Sequence, residues 1–392
     1  MLRRAAAMAA RGASPGRGGP GPDRSASSRG GATTAGLRLL VALCLLSLIP
    51  GGPARPAAGT AQQPDLEALG RYIEDARQAW GVPGLAVAIV KDGETVFARG
   101  YGVRELGTAA PVDEHTLFAI ASNTKAFTAA ALATLVDAGE IGWDDRVQRY
   151  LPWLRLYDPY VSADLRIRDL LSHRSGLGTF SGDLLWYGTE YGADEVLRRA
   201  EHVPQAHPFR GGYGYSNLMF IAAGQVIEEV TGQEWETVIH GRFFDPLGMR
   251  RSVTSTDSLA RRDNVATPHG PWEGELTAFP WYNWDAMAAA GGIISSVAEM
   301  GEWMKLQLNE GVRAPADTIF SPGQSWEMWQ VHTPFAVSPG YAELYPTTHF
   351  RGYGLGWSLR DIKGRREVSH GGGYDGMFSR VVLVPGYLFL CG

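Results

Sequence analysis

The sequence Phe118–Ala131, FAIASNTKAFTAAA, places a serine, Ser122, three residues before a lysine, Lys125. The alanine- and leucine-rich continuation to Ala138, followed by Gly139, predicts a helix from Ser122 to Ala138. Residues three apart lie on one face of a helix, so the hydroxyl and the amine become neighbours. A serine in the first turn suits a nucleophile, because the positive end of the helix dipole favours the alkoxide, and a desolvated lysine suits its base.

Lysine is scarce in this chain, which sharpens the significance of Lys125. There are four lysines against 32 arginines, and only Lys125 follows a serine at this spacing. Arginine keeps its proton in proteins, whereas lysine can lose it, so a lysine at this point favours acid–base chemistry. A solvated lysine on an ordinary amphipathic helix remains the alternative from these residues alone.

Residues 1–61 predict a leader rather than a part of the fold. They contain eight arginines and one acidic residue, then the apolar run Leu39–Ile49 and small residues ending at Ala61. This order is typical of a secretory signal peptide cleaved near Ala61, so we expect a secreted or periplasmic protein. The alternatives are a membrane anchor formed by the uncleaved N-terminal segment, an organellar presequence, which an arginine-rich and acid-poor arm also fits, and a start of translation at Met8 or later.

The rest of the chain, 62–392, predicts one large domain. It carries 28 basic and 40 acidic residues, which argues against nucleic acid and anionic membrane surfaces as partners. We expect a small-molecule partner, with membrane contact only through the N-terminal segment. Cys391 is the single cysteine of this part, so no intrachain disulfide is possible there, and neither a metal-ligand spacing nor a cofactor is predicted.

Regular elements are predicted on both sides of a helical middle. They indicate an α+β fold, with an antiparallel sheet flanked by helices and formed from both ends of the chain, and a mostly helical subdomain inserted at roughly 145–285. A loop with little pattern is predicted over Ala314–Arg351. The predicted helices are Asp65–Trp80, Leu218–Val230, Glu234–Phe244 and a capping-box helix from Ser296 to Leu308; the predicted strands are Gly84–Val90, Thr95–Val103, Gly354–Leu359, Glu367–His370 and Met377–Val384.

Two further segments supply groups that acyl transfer needs. Tyr215 and Asn217 offer a phenol and a carboxamide two residues apart, after glycines that let the backbone come close. The run His370–Gly373 offers an imidazole beside a strand edge without side chains. Together with Ser122 and Lys125 they predict one active site.

Other patterns are given structural interpretations. The HGGG run also matches the oxyanion motif of α/β-hydrolases, but the only G-x-S-x-G lies in the leader at Gly12–Gly16, upstream instead of downstream. His173, beside Arg174 and Ser175, is predicted to stabilise a turn rather than to act as a base. The aromatic run Trp281–Trp284 is predicted to pack rather than to line a pocket.

The three segments resemble the motifs of the serine β-lactamase and penicillin-binding protein superfamily. S-x-x-K, Y-x-N and H-x-G occur in the expected order at Ser122–Lys125, Tyr215–Asn217 and His370–Gly372. The supporting segments LLSHRSGL at 170–177, DPLGM at 245–249 and GYGLGW at 352–357 extend the resemblance over roughly Leu66–Val384. The similarity is to the class C β-lactamase-related branch, which includes family VIII carboxylesterases and D-aminopeptidases.

The resemblance implies a role for each motif residue. Ser122 would attack the acyl carbonyl and Lys125 would take its proton. Tyr215 would pass that proton to the leaving group and later activate the water for deacylation. Asn217 would hold Lys125 and the substrate amide in place.

The third motif departs from the β-lactamase pattern. It has His370 where β-lactamases usually have a lysine, and histidine is largely neutral at pH 7. We therefore expect an ester, amide or small-peptide substrate, and weak or no β-lactamase activity. The resemblance assigns the oxyanion hole to the backbone N–H groups of Ser122 and Gly373, so that Asn217, His370, Gly372 and Gly373 form the substrate- and oxyanion-binding set.

The expected function is that of a serine hydrolase forming an acyl-enzyme on Ser122. The alternative is a penicillin- or peptidoglycan-binding protein without turnover, regulatory or inactive. The family pattern usually continues after Val384-Pro385-Gly386 with another strand and a helix, whereas this sequence stops at Gly392. From the sequence we therefore expect a truncated chain with an exposed sheet edge.

Overall fold

The computed structural model describes residues 65–314 and 317–386. The predicted leader, 1–61, and Cys391 lie outside these residues. Within the described residues, no helix combines the length and the apolar character needed to cross a membrane.

The described residues form an α+β structure, which confirms the predicted fold class. The helices are α1 Leu66–Ala79, α2 Thr124–Asp137, α3 Pro159–Asp164, α4 Ile167–Leu171, α5 Ala193–Arg199, α6 Asn217–Thr231, α7 Trp235–Ile239, α8 Asp245–Leu247, α9 Ala288–Gly291, α10 Val297–Leu308, α11 Pro322–Met328 and α12 Pro339–Leu344. The strands are β1 Gly84–Lys91, β2 Glu94–Gly102, β3 Phe118–Ala119, β4 His269–Trp272, β5 Glu275–Ala278, β6 Ile294–Ser295, β7 Val312–Ala314, β8 Asp317–Thr318, β9 Thr333–Phe335, β10 Arg351–Tyr353, β11 Ser358–Ile362, β12 Arg365–Tyr374 and β13 Met377–Leu383.

Helix α2 lies at the centre of the core. Its residues from Thr124 to Leu135 are all buried, as expected for a helix that is apolar on every face. Phe127 stacks on Trp303 with ring centroids 3.7 Å apart, and Phe243 meets it edge-on at 6.0 Å. The helix that carries Lys125 is therefore surrounded by packed side chains.

Strands β1 and β2 form the predicted hairpin, with Lys91 paired to Glu94. Asp92 and Gly93 both have positive φ, 53° and 80°, as a two-residue type I′ turn requires. The C-terminal strands form a five-stranded antiparallel sheet in the order β13-β12-β11-β10-β9. Among the described residues the hairpin is a separate two-stranded sheet, whereas the sequence predicts one sheet from both ends.

Several element bounds differ from the predicted ones. The predicted loop Ala314–Arg351 is wrong, because it contains α11, α12 and β9. The predicted strand Gly354–Leu359 is wrong except at its last two residues: β10 ends before it, and the chain turns through Gly356 at φ 77° before β11 begins at Ser358. Gly354 fits there because a Cβ would lie 2.2 Å from the carbonyl oxygen of Met328.

The predicted capping box at the start of α10 forms only in part. The Ser296 hydroxyl accepts a hydrogen bond from the N–H of Glu299, as in a capping box. The Glu299 carboxylate accepts instead from the N–H groups of Arg251 and Ser252, both at 2.8 Å, and from the Ser252 hydroxyl. The carboxylate therefore holds the segment that follows α8 against α10. The helix is left with a serine N-cap alone.

Candidate active site

Ser122 lies on a short 3₁₀ turn, Ala121–Asn123, that leads directly into α2. The turn is tied to its surroundings on both sides: the N–H of Ile120 donates to Ile293 O at 3.0 Å, and the N–H of Ile293 donates to Thr124 Oγ1 at 3.1 Å. Ala121 is fully buried and has φ 46°, a conformation that costs a non-glycine residue free energy. The surrounding contacts therefore hold Ala121, the residue before the serine, in a strained backbone conformation.

Lys125 follows one turn later, and its amine lies within the core. Nζ is 3.1 Å from Ser122 Oγ, 2.7 Å from Asn217 Oδ1 and 2.8 Å from Ala290 O. The side chain has no exposed surface, and this burial lowers its pKa to about 7. Near neutral pH the amine is therefore partly uncharged, and its lone pair can accept the proton of the Ser122 hydroxyl.

Tyr215 faces the same amine with its ring. Lys125 Nζ is 4.8 Å from the ring centroid, and the ring of His173 lies 4.2 Å away on another side. Burial raises the pKa of Tyr215, although its hydrogen bond with Ser122 acts in the opposite direction. The phenol is therefore neutral near pH 7. It can relay a proton only by donating its own proton while it accepts another.

Asn217 is the first residue of α6, whose N-cap is Ser216. Its Oδ1 accepts from Lys125, and its Nδ2 donates to Asp183 Oδ2 at 2.9 Å. Capping sets the start of the helix, so the side chain of Asn217 is directed at the amine of Lys125 from a fixed position.

His173 serves the structure of the turn that bears Tyr215. Its Nδ1 accepts from the N–H of Ser216 at 3.1 Å, and its backbone oxygen accepts from Gly214 at 3.0 Å. Burial lowers its pKa well below the usual value. The side chain thus stabilises the Tyr215 segment, in agreement with its predicted role.

His370 lies behind the site rather than open to it. Its Nε2 accepts from the Tyr353 hydroxyl at 2.8 Å, and its Nδ1 donates to Gly371 O at 2.7 Å. Burial, and then the nearby Lys125, lower its pKa to about 3. The imidazole is therefore neutral, as the sequence predicts, and both of its nitrogens are engaged within the protein.

The glycines after His370 bring β12 against the nucleophile turn. A Cβ on Gly372 would lie 2.1 Å from Ile120 O and 2.4 Å from Ser379 Oγ, so only glycine permits this approach. Gly373, the next residue, has open space where its side chain would be. The two predicted oxyanion donors, at Ser122 and Gly373, thus lie on backbone segments that pack side by side.

A small hydrogen-bond network fixes this junction. The Ser379 hydroxyl donates to Ile120 O at 2.7 Å and accepts from Asn123 Nδ2 at 2.8 Å. Neither Asn123 nor Ser379 was predicted from the sequence, in which the one available signal is that Asn123 adjoins Ser122. Asp183 was also missed, because it lies in an irregular segment without a motif.

An aromatic wall extends from Asn217 towards Gly373. Trp186 meets Trp284 at 5.4 Å between ring centroids, and Trp284 meets Tyr374 at 4.5 Å. The wall begins at Asp183, whose carboxylate accepts from Trp186 Nε1, and ends at the residue after Gly373. Trp284 is buried within this row of rings, in agreement with the predicted packing role of Trp281–Trp284.

A separate cavity of about 240 Å³ borders His370 and Gly371. Arg351 lies in its wall, with its guanidinium 3.9 Å from the ring centroid of Tyr341, and Arg360 pairs with Glu367 at 2.6 Å. No group of three His, Cys, Asp or Glu residues suited to a metal ion occurs within residues 65–314 and 317–386.

Relatives and solved structures match most of the chain. Unguisins hydrolase ungD from Aspergillus violaceofuscus is 30% identical over 336 residues, which cover 80% of this chain and 58% of that protein. The chain thus spans less than two thirds of this relative's length. The octameric penicillin-binding protein homologue from Pyrococcus abyssi superposes with a TM-score of 0.71 at 25% identity, covering 82% of this chain and 71% of that one. A D-stereospecific amidohydrolase from Streptomyces sp. gives a TM-score of 0.64 at 26% identity, covering 82% and 91%.

The family model described as Beta-lactamase matches residues 69–385. This range contains the Ser122 turn, the Tyr215–Asn217 pair and the glycine strand, so one family accounts for every segment that builds the site. The chain belongs to the beta-lactamase family.

Proposed function

We propose that this protein is a serine hydrolase that transfers the acyl group of an ester, amide or small peptide to Ser122 and then to water. The observation that carries the proposal is the Lys125 amine, buried, 3.1 Å from Ser122 Oγ, and with a pKa lowered to about 7. A lysine with these properties can serve as a base near neutral pH, which an ordinary surface lysine cannot.

In the proposed mechanism, acylation involves two successive proton transfers. Neutral Lys125 accepts the proton of Ser122 as Oγ bonds to the acyl carbon, and the carbonyl oxygen becomes an oxyanion held by the N–H groups of Ser122 and Gly373. The proton then passes through the Tyr215 hydroxyl to the departing oxygen or nitrogen, and the bond from the acyl carbon to the leaving group breaks. Each oxyanion donor is worth about 3 kcal/mol in such sites.

Deacylation uses the same groups in reverse. Water takes the place of the leaving group, loses a proton through Tyr215 to Lys125, and attacks the acyl carbon. The bond to Ser122 Oγ breaks, the oxygen regains its proton, and the acid product leaves. Asn217 holds Lys125 throughout, since its amide oxygen lies 2.7 Å from Nζ.

The substrate we propose is apolar near its acyl group and is not a good β-lactam. The row of rings Trp186, Trp284 and Tyr374, which runs from the side of Asn217 to that of Gly373, makes these surroundings apolar and so favours aromatic or aliphatic groups. His370 is neutral and engaged by Tyr353, so it offers a substrate carboxylate no cation. The names of two matched proteins, a hydrolase and a D-stereospecific amidohydrolase, agree with amide or ester cleavage. We further propose a secreted or periplasmic location, on the composition of residues 1–61.

A fluorophosphonate probe tests the nucleophile. We expect it to label the protein and peptide mass spectrometry to locate the adduct on Ser122, while Ser122→Ala abolishes labelling. Ser175→Ala is a matched control, since this buried serine lies outside the set of catalytic groups and its variant should still be labelled. Labelling that survives Ser122→Ala unchanged contradicts the assignment.

A substrate panel tests turnover. We expect release of product from p-nitrophenyl esters or D-amino-acid amides and little from nitrocefin. A stable adduct with no release from any member of the panel favours a binding protein without turnover. That alternative agrees with the penicillin-binding protein homologue among the matched structures.

A further inference from the structure

Behind Asn217 lies a carboxylate that none of the three motifs includes. Asp183 opens a short 3₁₀ turn, Asp183–Leu185, in the irregular segment between α4 and α5. Its Oδ2 accepts from Asn217 Nδ2 at 2.9 Å, and its Oδ1 accepts from Trp186 Nε1 at 3.2 Å. Both oxygens are therefore engaged by side chains at the site.

This carboxylate determines which way the Asn217 amide points. An ionised carboxylate only accepts hydrogen bonds, so the NH₂ group of Asn217 must face Asp183. The amide oxygen then faces Lys125, from which it accepts at 2.7 Å. Without a fixed acceptor behind it, the amide could turn its NH₂ group towards the ammonium, and that contact would repel.

The groups that face the Lys125 amine come from several elements. Ser122, Tyr215, Asn217 and Ala290 O are uncharged, and burial lowers the pKa of both His173 and His370, which keeps them neutral. Among the described residues, Asp183 is the carboxylate whose charge acts on Lys125, and it raises the lysine's pKa against the larger effect of burial. Burial raises the pKa of Asp183 in turn, while Lys125 lowers it.

We propose that Asp183 is a positioning residue for acyl transfer, which orients the Asn217 amide and supplies the negative charge beside which Lys125 exchanges its proton. This inference rests on the proposed role of Lys125 as the base. An alternative role, in which Asp183 binds a substrate ammonium, is less favoured because both of its oxygens already accept hydrogen bonds.

The pH dependence of Ser122 labelling by a fluorophosphonate tests the proposal without a known substrate. In the wild-type protein we expect the rate to rise through about pH 7, because the probe reacts when Lys125 is neutral. Asp183→Asn keeps an acceptor for Asn217 but removes the charge, so the acid limb should move to lower pH. At pH 6 the rate relative to each protein's own plateau should be about threefold or more higher in Asp183→Asn, which corresponds to a shift of about half a pH unit.

Two variants serve as controls for this measurement. Asp183→Glu returns the charge and should return the acid limb to the wild-type position. Asp145→Asn removes a half-buried carboxylate that accepts from Tyr150 and Gly142, away from the site, and should leave the limb unmoved. If Asp183→Asn does not fold, Asp183→Gln is a second neutral variant for the same measurement.

The outcomes distinguish failure of the positioning role from failure of the proposed function. An unchanged normalised profile in a folded neutral variant overturns the positioning role. A raised KM confined to amino-acid amides, with neutral p-nitrophenyl esters and the pH profile unaffected, also overturns it and assigns Asp183 to ammonium binding. Absence of Ser122 labelling in the wild-type protein instead rejects the proposed function itself.

Discussion

Lys125 combines two properties that proteins usually keep apart, because it is a cationic side chain in a fully buried position. Its three oxygen partners match the three protons of an ammonium, so the charged form is accommodated. Burial nevertheless lowers the pKa to about 7 and makes both protonation states accessible. The residue thus has the properties of a base because of where α2 holds it.

Lys125→Arg tests whether the amine must lose its proton. Arginine keeps the positive charge but cannot act as a base, so we expect the rate of Ser122 labelling and of ester hydrolysis to fall about 10²-fold or more. Lys305→Arg, on the surface of α10 and paired with Glu302, is the control and should leave both rates unchanged. Near-normal turnover by Lys125→Arg rules out the amine as base.

At this scale the sequence predicted part of the site. Ser122 lies on the 3₁₀ turn that leads into α2 rather than on the predicted helix itself, yet its hydroxyl still meets the Lys125 amine. Asn217 meets Lys125 as the resemblance implies. Asp183 was not predictable, because its effect depends on a contact between segments 34 residues apart, and a single aspartate in a loop carries no pattern. His370 was predicted to be neutral, but its engagement by Tyr353 depends on the packing of β10 beside the site.

At the scale of elements, the geometry of the site depends on the contact between strand β12 and the turn that bears Ser122. Strand β12 extends to Tyr374, beyond the predicted end at His370. The continuation was not predicted, because glycine has a low strand propensity. Of the glycines in this continuation, Gly372 allows the strand to approach Ile120. The short helices α11 and α12 were missed for a related reason, since helices of six or seven residues give too little periodicity to detect.

Gly372→Ala tests this junction. The new Cβ would lie 2.1 Å from Ile120 O, so either β12 or the Ser122 turn must move. We expect the labelling rate of Ser122 to fall by about 10²-fold, a cost typical of an approximately 1 Å misplacement in an active site. Gly371→Ala is the matched control, because its Cβ would meet Phe378 at an ordinary 3.6 Å, and its rate should stay close to wild type. Equal rates in the two variants contradict the importance of this approach.

At the scale of the whole molecule, the site lies deep in the structure, and two of its histidines are therefore buried in their neutral form. His173 and His370 are both nearly inaccessible to solvent, and burial lowers the pKa of each. In the unfolded chain histidine titrates near 6.5. Below that pH the unfolded state binds protons that the native state does not, so the free energy of unfolding decreases as the pH falls.

His370→Gln measures this contribution. With a native pKa of about 3, His370 should account for about 2 kcal/mol of the stability lost between pH 7 and pH 5. Glutamine can still accept a hydrogen bond from Tyr353 but does not titrate, so the difference in unfolding free energy between the two pH values should shrink by that amount. Urea unfolding at both pH values measures this difference. His202→Gln is the control, because that side chain is exposed and its variant should leave the difference as in the wild-type protein.

The range from pH 7 to pH 5 lies above the pH at which most carboxylates titrate, so the histidines dominate the change in stability there. An identical loss of stability in His370→Gln and the wild-type protein would mean that native His370 takes up its proton between pH 7 and pH 5 as it does in the unfolded chain. Below about pH 6.5 a substrate carboxylate would then meet a cation at His370, and the expectation against β-lactams would not hold in that range.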